Sequence, residues 1–388
     1  MVSRSWVDID LAAVAANIAT LAACAPSAEV CAVVKANGYG HGAVPVARAA
    51  LEAGATRLAV AQVDEGVALR AAGIDATIWV LSEPEPAEFV VAAANGLEPA
   101  VYSPGGIADA AASGTRLTVH LKADTGMHRV GARPADIVTL ARSIDADSNL
   151  TLGSVWTHLA SADADGERSA HIGGADAGTD PAAGTVTSDQ LDRYDTILCA
   201  LDEAGIHVPL RHAANSAGTI AHPRSHGDVV RCGIAIYGLP PSPGLTGRVP
   251  LKPAMTWRSR VSFVKELRAG DAVSYGHRRV ISRTSRVATI PVGYADGYRR
   301  NLWNRGAAVL IGGRRRPIVG VVTMDQTVVD CGTDDIVDGD EVVLIGSQGD
   351  ETITADDLAA SLGTINYEIP WGVGARVERR YPGGGAGA

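Results

Sequence analysis

Short apolar runs and amphipathic segments alternate along the first 240 residues of the chain. Each apolar run is rich in Val, Ile and Leu, and most are followed by an Ala-rich segment with helical spacing. Continuous apolar strands followed by amphipathic helices are typical of a parallel sheet covered by helices. Eight runs are predicted as strands: Val30–Lys35, Arg57–Gln62, Thr77–Ser82, Glu98–Ser103, Leu117–Lys122, Leu152–His158, Leu210–Ala214 and Val229–Ile236.

The segments between these strands predict an α/β fold of the (β/α)8 barrel type, because eight strand–helix units fit a chain of this length. A doubly wound open sheet is the alternative architecture. A further helix, Leu11–Cys24, precedes the first strand and is expected to pack against the base or side of the barrel. The other predicted helices are Ala43–Ala53, Val63–Ala72, Glu85–Asn95, Pro104–Ser113, Pro134–Ile144 and Ser188–Gly205.

The pattern changes after Pro250, where alternating strands replace helices and predict a mainly β domain. We therefore expect a barrel domain at residues 1–240 and a β-rich domain at residues 250–388, joined by the Pro- and Gly-rich segment Gly238–Pro250. A short helix, Thr354–Leu362, has Thr354 as its expected N-cap. The predicted strands are Met255–Glu266, Arg279–Pro291, Ala307–Ile311, Ile318–Asp330 and Glu341–Ile345.

One connection in the barrel is unusually long. The segment Asp163–Thr187 is rich in Gly, Ala, Asp and Ser and has no apolar period. Long connections of this kind are functional or mobile. We expect a mobile surface loop that follows the sixth strand.

The composition excludes several classes of protein. Apolar residues make up 46% and charged residues 20%, as in globular proteins, and the net charge of −9 argues against nucleic acid and anionic membranes as partners. No apolar run reaches the ~18 residues of a membrane span, and the first residues do not resemble a signal peptide, so a cytoplasmic location is expected. Five scattered cysteines without a CxxC pair indicate buried, reduced thiols rather than a zinc site: Cys24, Cys31, Cys199, Cys232 and Cys331.

Lys35 is the first candidate for chemistry, since active sites of (β/α)8 barrels lie at the carboxyl ends of the strands. The run AVVK places this lysine at the end of the first strand. Burial lowers the pKa of a lysine, and a neutral amine forms a Schiff base with a carbonyl group. The structural alternative is a lysine whose ammonium reaches solvent. The glycines at 38, 40 and 42 resemble a phosphate loop, but a lone pattern of this kind is weak and a tight turn explains them better.

Arg231 is the second candidate, because an arginine among Val229, Val230 and Ile234 on a buried strand needs a partner. An ion pair within the barrel is one interpretation, and a fixed donor to a cofactor or substrate is the other. Gly233 would let a backbone N–H approach a phosphate. Ser216 suits a phosphate too, or serves as a helix N-cap.

Ten motifs in order give the chain a resemblance to a known family. They extend over nearly the whole length: AVVKANGYGHG, KADTGMHRVG, THLASAD, HAANSAG, VRCGIAIYG, AMTWRSRV, VSYGH, PVGYADGY, VTMDQ and TINYEI. On these motifs the chain resembles the pyridoxal-phosphate-dependent alanine racemases of fold type III. Departures from the family pattern include the long loop, Thr323 before Met324, and His128 before Arg129.

The resemblance implies a pyridoxal 5'-phosphate site on the barrel. Lys35 would bind the cofactor as an internal aldimine, and Arg231 would face the pyridine nitrogen with support from His158. The residues implied around the phosphate are Tyr39, Ser216, Gly233, Ile234 and Tyr367.

The resemblance also implies a second set of residues, for the substrate and the proton transfers. Tyr275 would be the second catalytic base, on the face opposite the lysine. Arg129, Met324 and Asp325 would bind the substrate carboxylate, and Lys122 would carry a carbamate that orients Arg129. Tyr275, Met324 and Asp325 would reach the site from the partner subunit, which implies a head-to-tail homodimer.

The activity that the resemblance implies is the interconversion of L- and D-alanine, with a small-molecule amino acid as the substrate. The D-alanine would be used to build peptidoglycan. A racemase of broader range, acting on serine or other small residues, is an alternative. So is a pyridoxal phosphate carrier without turnover, against which Tyr275 and the second domain argue. A metal-dependent hydrolase could use His158 and His212, but Lys35 is at odds with a hydrolytic zinc site, and no metal is expected. A fold-sharing decarboxylase should have an acidic residue where this chain has Arg231.

Overall fold

The computed structural model describes residues 4–164 and 185–383, and the chain divides into two compact units. The barrel unit comprises Val14–Gly38 and Ala43–Lys252. The sheet unit comprises Met1–Ala13, Tyr39–Gly42 and Pro253–Ala388. The first strand, β1 (Ser5–Ile9), belongs to the sheet unit and was not among the predicted strands. Most of the predicted loop Asp163–Thr187 lies outside the described residues.

The barrel unit contains one parallel sheet of eight strands, which confirms the predicted (β/α)8 class. Two backbone hydrogen bonds join the segments of the two strands at the ends of the sheet order, which are the seventh and eighth barrel strands along the chain. Asp228 N–H donates to Arg211 O at 2.8 Å, and Arg231 N–H donates to Ala214 O at 3.1 Å. Each strand overlaps one predicted run. They are β2 (Glu29–Val33), β3 (Arg57–Val60), β4 (Thr77–Val80), β5 (Leu97–Val101), β6 (Leu117–Lys122), β7 (Leu150–Trp156), β8 (Arg211–His212) and β9 (Val229–Cys232).

Helices follow the strands as the apolar period predicted, with ends that differ by a few residues. Pro134 begins a 3-10 turn, Pro134–Asp136, so the α-helix that was expected there starts only at Ile137. The helices of the barrel unit are Ala43–Glu52, Val63–Ala71, Pro86–Ala94, Pro104–Ala112, Ile137–Asp145, Val186–Glu203 and Ser216–Ala221. None of the helices in the described ranges is long and apolar enough to cross a membrane.

The first helix, Leu11–Cys24, has the predicted bounds, and Asn17 fixes its position in the barrel unit. The Asn17 side chain is fully buried, and its Nδ2 donates to Ile236 O at 3.1 Å and Lys252 O at 2.9 Å. Its Oδ1 accepts from Lys252 N–H at 2.8 Å. One amide therefore satisfies three backbone groups of a segment more than 200 residues away.

The sheet unit is built from antiparallel strands with one parallel pair, β1 with β20. Its main sheet has the order β16-β15-β18-β10-β1-β20, with β19 paired to β18, and the smaller sheets are β11-β14-β17 and β12-β13. The strands are β10 (Met255–Arg260), β11 (Phe263–Leu267), β12 (Ala272–Val273), β13 (Arg279–Val280), β14 (Ser285–Ile290), β15 (Ala308–Ile311), β16 (Arg314–Pro317), β17 (Thr327–Gly332), β18 (Glu341–Gln348), β19 (Glu351–Ile353) and β20 (Glu378–Arg380).

Three long strands predicted for this unit are wrong in extent. Met255–Glu266 and Arg279–Pro291 are each two strands in different sheets, and only the end of Ile318–Asp330 is a strand, β17. Alternating apolar residues at a bend keep the period of a strand, so the break leaves no mark in the pattern. The predicted cap is confirmed: Thr354 Oγ1 accepts from Asp357 N–H at 3.0 Å before the helix Ala355–Leu362.

The predicted linker and cysteines need some correction. Leu245 in the segment Gly238–Pro250 is buried in the core of the barrel unit, so this segment packs as part of that unit. All five cysteines are free thiols, as expected, but Cys199 is exposed and Cys24 is half-buried.

Replacement of Asn17 tests how the first helix is fixed to the barrel unit. We expect Asn17→Leu to lower the free energy of unfolding by about 3 kcal/mol, because it leaves buried backbone groups without partners. Thr20→Val on the same helix is the control; it loses only a bond to Ala16 O and should cost less than about 1 kcal/mol. Urea unfolding followed by circular dichroism measures both variants. Equal losses for the two would show that the amide does not fix the helix.

Candidate active site

The carboxyl ends of the barrel strands carry most of the residues that the sequence analysis selected. Lys35 follows β2, Lys122 ends β6, His158 follows β7, and Arg231 is the third residue of β9. Parallel strands of one barrel end on the same side, so these side chains share the mouth of the barrel. Ser216, Gly233, Ile234 and Arg129 lie in the segments that follow β8, β9 and β6.

Lys35 was predicted to end the first barrel strand, but β2 stops at Val33 and Lys35 lies two residues beyond it. It opens a turn in which Ala36 and the three residues after it all have positive φ, a left-handed conformation. The carboxylate of Glu65 accepts from Ala36 N–H at 2.5 Å and from Ala61 N–H at 2.8 Å, and so anchors the start of this turn. Burial and the charge of Arg129 lower the pKa of Lys35, and Glu65 opposes this shift.

Arg231 is buried and is surrounded by neutral acceptors. Its Nη1 donates to His212 Nδ1 at 2.7 Å, and its Nη2 donates to Thr157 O at 2.8 Å and Ala213 O at 3.0 Å. The contact to His158 Nδ1 is longer, at 3.4 Å. Within residues 4–164 and 185–383, Arg231 has no carboxylate partner, so the predicted ion pair is wrong for this part of the chain.

The acceptor role of His212 is fixed by charge. Burial and the guanidinium of Arg231 lower the pKa of His212 well below its usual value, so the ring is neutral and its Nδ1 has a free lone pair. Burial alone lowers the pKa of Arg231 to about 10, which leaves it charged at neutral pH. The guanidinium also lies 4.8 Å from the ring centre of Trp156, a cation–π contact. His158 and His212 thus both turn Nδ1 towards an arginine.

Several cations share the mouth of the barrel. Burial lowers the pKa of Lys122 to about 7, with further contributions from Arg129 and Arg231. Burial and the charges of Arg231, Lys122, Arg129 and Lys35 lower the pKa of His158 well below its usual value. Groups that shift each other in this way are close enough for their charges to interact. Such a cluster of cations is suited to an anionic ligand.

Ser216 lies where backbone donors converge. Its Oγ accepts from Gly233 N–H at 2.9 Å and Ala235 N–H at 3.4 Å, and the side chain is buried. The alternative role as an N-cap is wrong, because Asn215 caps that helix through Gly218 N–H at 2.9 Å. The two amide protons bind the Ser216 oxygen in this structure, so the donor that this group offers to a phosphate oxygen is the hydroxyl proton.

The sheet unit carries the remaining predicted residues, and the structure groups some of them. Tyr39 and Tyr367 are neighbours, with ring centres 6.3 Å apart. Asp325 accepts from Arg376 Nη2 at 2.8 Å, and the Met324 side chain beside it is 52% exposed. Tyr275 is 72% exposed and lies in a 3-10 turn, outside the strands of the sheet unit.

Glycines let the segment after Lys35 pack closely in the sheet unit. A Cβ on Gly40 would lie 2.2 Å from Pro370 O, and Gly40 also has a positive φ of 85°. No other residue fits there without moving backbone. This close approach places the start of Tyr39–Gly42 against the same helical turn that follows Tyr367.

No sequence pattern connected Arg231 with His212, Trp156 or the carbonyl of Ala213. His212 was visible at the end of a strand, in the motif HAANSAG, and its position there was the available signal. Strand period shows that a side chain points into the barrel, but it does not show which groups meet across the sheet. The contacts of Arg231 therefore required the structure.

Arg231→Lys tests the fixed guanidinium without any cofactor. A lysine presents a point charge and cannot reach three acceptors in one plane, so the cofactor-free protein should lose about 3 kcal/mol of unfolding free energy. Arg211→Lys, at an exposed residue of β8, is the matched control and should change stability by less than about 0.5 kcal/mol. Urea denaturation reports both, and a loss below about 1 kcal/mol for the Arg231 variant would show that the three acceptors contribute little.

Comparison with known proteins identifies the family. Models described as "Alanine racemase, N-terminal domain" and "Alanine racemase, C-terminal domain" match residues 9–241 and 254–381. The chain is 48% identical to an alanine racemase of Symbiobacterium thermophilum over 98% of this chain and 97% of the relative. The alanine racemase structure from D-cycloserine-producing Streptomyces lavendulae is similar with a TM-score of 0.88 and 39% identity, over 99% of this chain and 98% of that one. The alanine racemase structure from Bacillus anthracis, solved with bound L-Ala-P, is similar with a TM-score of 0.89 and 36% identity, over 100% of this chain and 97% of that one. The chain therefore belongs to the alanine racemase family.

Proposed function

We propose that this protein interconverts L- and D-alanine with pyridoxal 5'-phosphate and so supplies D-alanine for peptidoglycan in the cytoplasm. Family membership supports the reaction, and the observation that carries the cofactor assignment is Arg231. It is a buried guanidinium whose acceptors are all neutral and whose Nε–H makes no hydrogen bond within the described ranges. A donor that cannot lose its proton suits an unprotonated ring nitrogen.

The other donors of the barrel mouth fit the same cofactor. Lys35 has an amine of lowered pKa, as a Schiff-base lysine requires. Ser216 offers its hydroxyl proton to a phosphate, and the N–H groups of Gly233 and Ala235, which donate to its oxygen in this structure, hold the hydroxyl in place. Ile234 lies between these two amides, and Tyr39 and Tyr367 would complete the phosphate site. When bound, pyridoxal phosphate supplies an aldehyde carbon for an amine and a conjugated ring that draws electrons from the alanine Cα.

Arg231 determines how strongly that ring draws electrons. Because the guanidinium keeps its proton even with a pKa of about 10, it would leave a pyridine nitrogen held against it unprotonated, and the bound cofactor would then supply weaker electron withdrawal. Weaker withdrawal would favour return of the proton to the alanine Cα over its addition elsewhere. His158 and His212 support this role by accepting from the other guanidinium nitrogens.

Two bases on opposite faces of Cα are needed for racemisation, because a single base returns the proton to the face it left. We assign them to Lys35 and Tyr275. Arg129, Met324 and Asp325 bind the substrate carboxylate. We infer that Tyr275, Met324 and Asp325 act in the site of the partner subunit of a head-to-tail homodimer. The 72% exposure of the Tyr275 side chain supports this, since its phenol is available to a second molecule.

The proposed activity is tested by incubating the cofactor-loaded protein with L-alanine in D2O. D-alanine should form with deuterium at Cα, much faster than D-serine forms from L-serine, and Lys35→Ala should form neither. The products are separated by chiral chromatography, and their deuterium content is measured by mass spectrometry. Absence of D-alanine from a folded, loaded protein would refute the assignment, and equal rates with serine would indicate a racemase of broader range.

The shared site is tested with a hybrid dimer. Lys35→Ala and Tyr275→Phe chains with different affinity tags are co-expressed, and the dimer carrying both tags is purified. It should have about half the wild-type activity, since one of its two sites combines an intact lysine with an intact tyrosine from the other chain. Each variant alone is the control and should be nearly inactive. An inactive hybrid would show that Tyr275 serves the lysine of its own chain.

Carbamylation of Lys122 is the third test. Because burial lowers the pKa of Lys122 to about 7, much of its amine is neutral at pH 7.5 and free to attack CO2, and the resulting anion is stabilised by Arg129 and Arg231. The 13C NMR spectrum in 13C-bicarbonate should show a carbamate resonance that Lys122→Arg lacks. The same resonance in the variant would place the carbamate on another amine, and its absence from the wild type would refute carbamylation.

A further inference from the structure

A chain of buried polar side chains leads away from Arg231 through the interior of the barrel unit. His212 Nε2 lies 2.9 Å from Ser154 Oγ, and Ser154 Oγ lies 2.8 Å from His120 Nδ1. His120 Nε2 in turn lies 3.0 Å from Glu98 Oε2. Ser154, His120 and His212 are at most 3% exposed, while the Glu98 side chain is 28% exposed. Four hydrogen bonds thus connect the guanidinium with a carboxylate on β5.

The direction of every bond in this chain follows from its two ends. Arg231 can only donate, so the Nδ1 of the neutral His212 accepts and its Nε2 carries the proton. That Nε2–H donates to Ser154 Oγ. Ser154 has only His120 and His212 as hydrogen-bond partners in the described chain, so its own proton goes to His120 Nδ1. His120 Nε2–H then donates to Glu98, which as a carboxylate can only accept.

Ionisation of Glu98 agrees with this direction. Burial acts to raise the pKa of Glu98, but four contributions outweigh it and hold the pKa below its usual value. They are the hydrogen bond from His120, the charge that this ring carries when it is protonated, the hydrogen bond from Trp79 and the charge of Arg57. A reversed chain is costly at the other end. With a proton on His120 Nδ1, the Ser154 proton would either have no acceptor in the described chain or turn to His212 Nε2. In the second case His212 would place an Nδ1–H against the Arg231 N–H at 2.7 Å.

Aromatic packing prevents the rings from adapting by rotation. The ring of His212 is stacked between Trp79 and Trp156, with centres 4.6 Å and 5.6 Å away. Trp79 also contacts the ring of His120 at 4.8 Å and donates its Nε1–H to Glu98 at 3.0 Å. A Cβ on Gly153 would lie 2.7 Å from the His120 ring, so the neighbouring backbone closes in as well. Ring positions and proton positions are therefore set together.

We propose that Ser154, His120 and Glu98 are positioning residues for the racemase reaction, because they fix His212 in the one neutral tautomer that can accept from Arg231. None of the three bonds Arg231 itself. This role rests on the proposed function of Arg231, whereas the direction of the hydrogen bonds can be measured with no cofactor present. The carboxylate on β5 thereby acts on the guanidinium on β9 through three side chains.

The direction of the chain is measured by NMR on cofactor-free protein labelled with 15N-histidine at pH 7.5. Long-range 1H–15N correlations should show His212 and His120 as neutral rings with the proton on Nε2, assigned by loss of one spin system in His212→Asn and His120→Asn. The His212 Nε2–H should exchange slowly with water in the wild type and rapidly in Ser154→Ala. An imidazolium ring, or a proton on Nδ1 of either residue, would overturn the proposal.

The positioning role is measured by kinetics on the loaded dimer. Loss of an outer hydrogen bond that orients a reactive group costs about tenfold, so Ser154→Ala should lower kcat about tenfold and change the KM for alanine less than about twofold. Glu98→Met should do the same. Glu98→Gln keeps an oxygen acceptor for His120 and should remain within about twofold of wild type, a recovery that a purely structural role for the charge does not predict.

Ser225→Ala is the matched control, because it removes another buried hydroxyl bond of the barrel unit, to His222 O at 2.7 Å. It should lower Tm as Ser154→Ala does and leave kcat unchanged. Should Ser154→Ala fail to fold, Glu98→Met at the partly exposed end carries the same test. Unchanged kcat in a folded Ser154→Ala or Glu98→Met protein would overturn the positioning role. A wild type with both tautomers as stated but no racemase activity would overturn the proposed function, and this role with it.

Discussion

A buried guanidinium that has no counter-charge among the described residues is the constraint on which the barrel unit depends. Taking Arg231 out of water costs several kcal/mol, and since no carboxylate in residues 4–164 and 185–383 contacts it, the cost is offset by neutral acceptors and an aromatic face. Those acceptors lie at the ends of β7 and β8, so these two strands must end at the height of Arg231 on β9. A histidine beside this charge must be neutral, and its proton must lie on the far nitrogen. The burial of Arg231 thus requires both the positions of the strand ends and the protonation state of His212.

Most of the fold could be predicted from the sequence, since strand and helix periods are strong signals in α/β proteins. All eight barrel strands and the helix Leu11–Cys24 were found in this way. The sheet unit was predicted less well. Met255–Glu266 alternates across a change of sheet, and β16 is a run of arginines without an apolar residue before Pro317. The strand Ser5–Ile9 pairs with a segment about 250 residues away, a relation that no local pattern contains.

The candidate site was predictable in its residue types but not in its contacts. Lys35 and Arg231 stood out because charged side chains on apolar strands need an explanation, and the family motifs supplied roles for the rest. Partners on other strands were invisible, as Ser154 and Glu98 illustrate: a serine and a glutamate on barrel strands have many ordinary explanations. The exposure of Tyr275 was also missed, because the turn that carries it depends on a positive φ of 63° at Ser274. Such backbone conformations have little sequence signature outside glycine.

The left-handed turn after Lys35 limits which sequences this family member can explore. Ala36, Asn37 and Tyr39 have φ of 52°, 52° and 51°, and each non-glycine residue in this conformation costs about 1–2 kcal/mol. β-Branched residues are excluded there, whereas glycine would relieve the strain but give the unfolded chain more freedom to lose. Drift at these positions is therefore confined to a few small, polar or aromatic residues. The strain of this turn already lowers the free energy of unfolding, and destabilising substitutions elsewhere in the barrel lower it further. The number of mutations that the whole chain can accept therefore depends in part on three backbone angles.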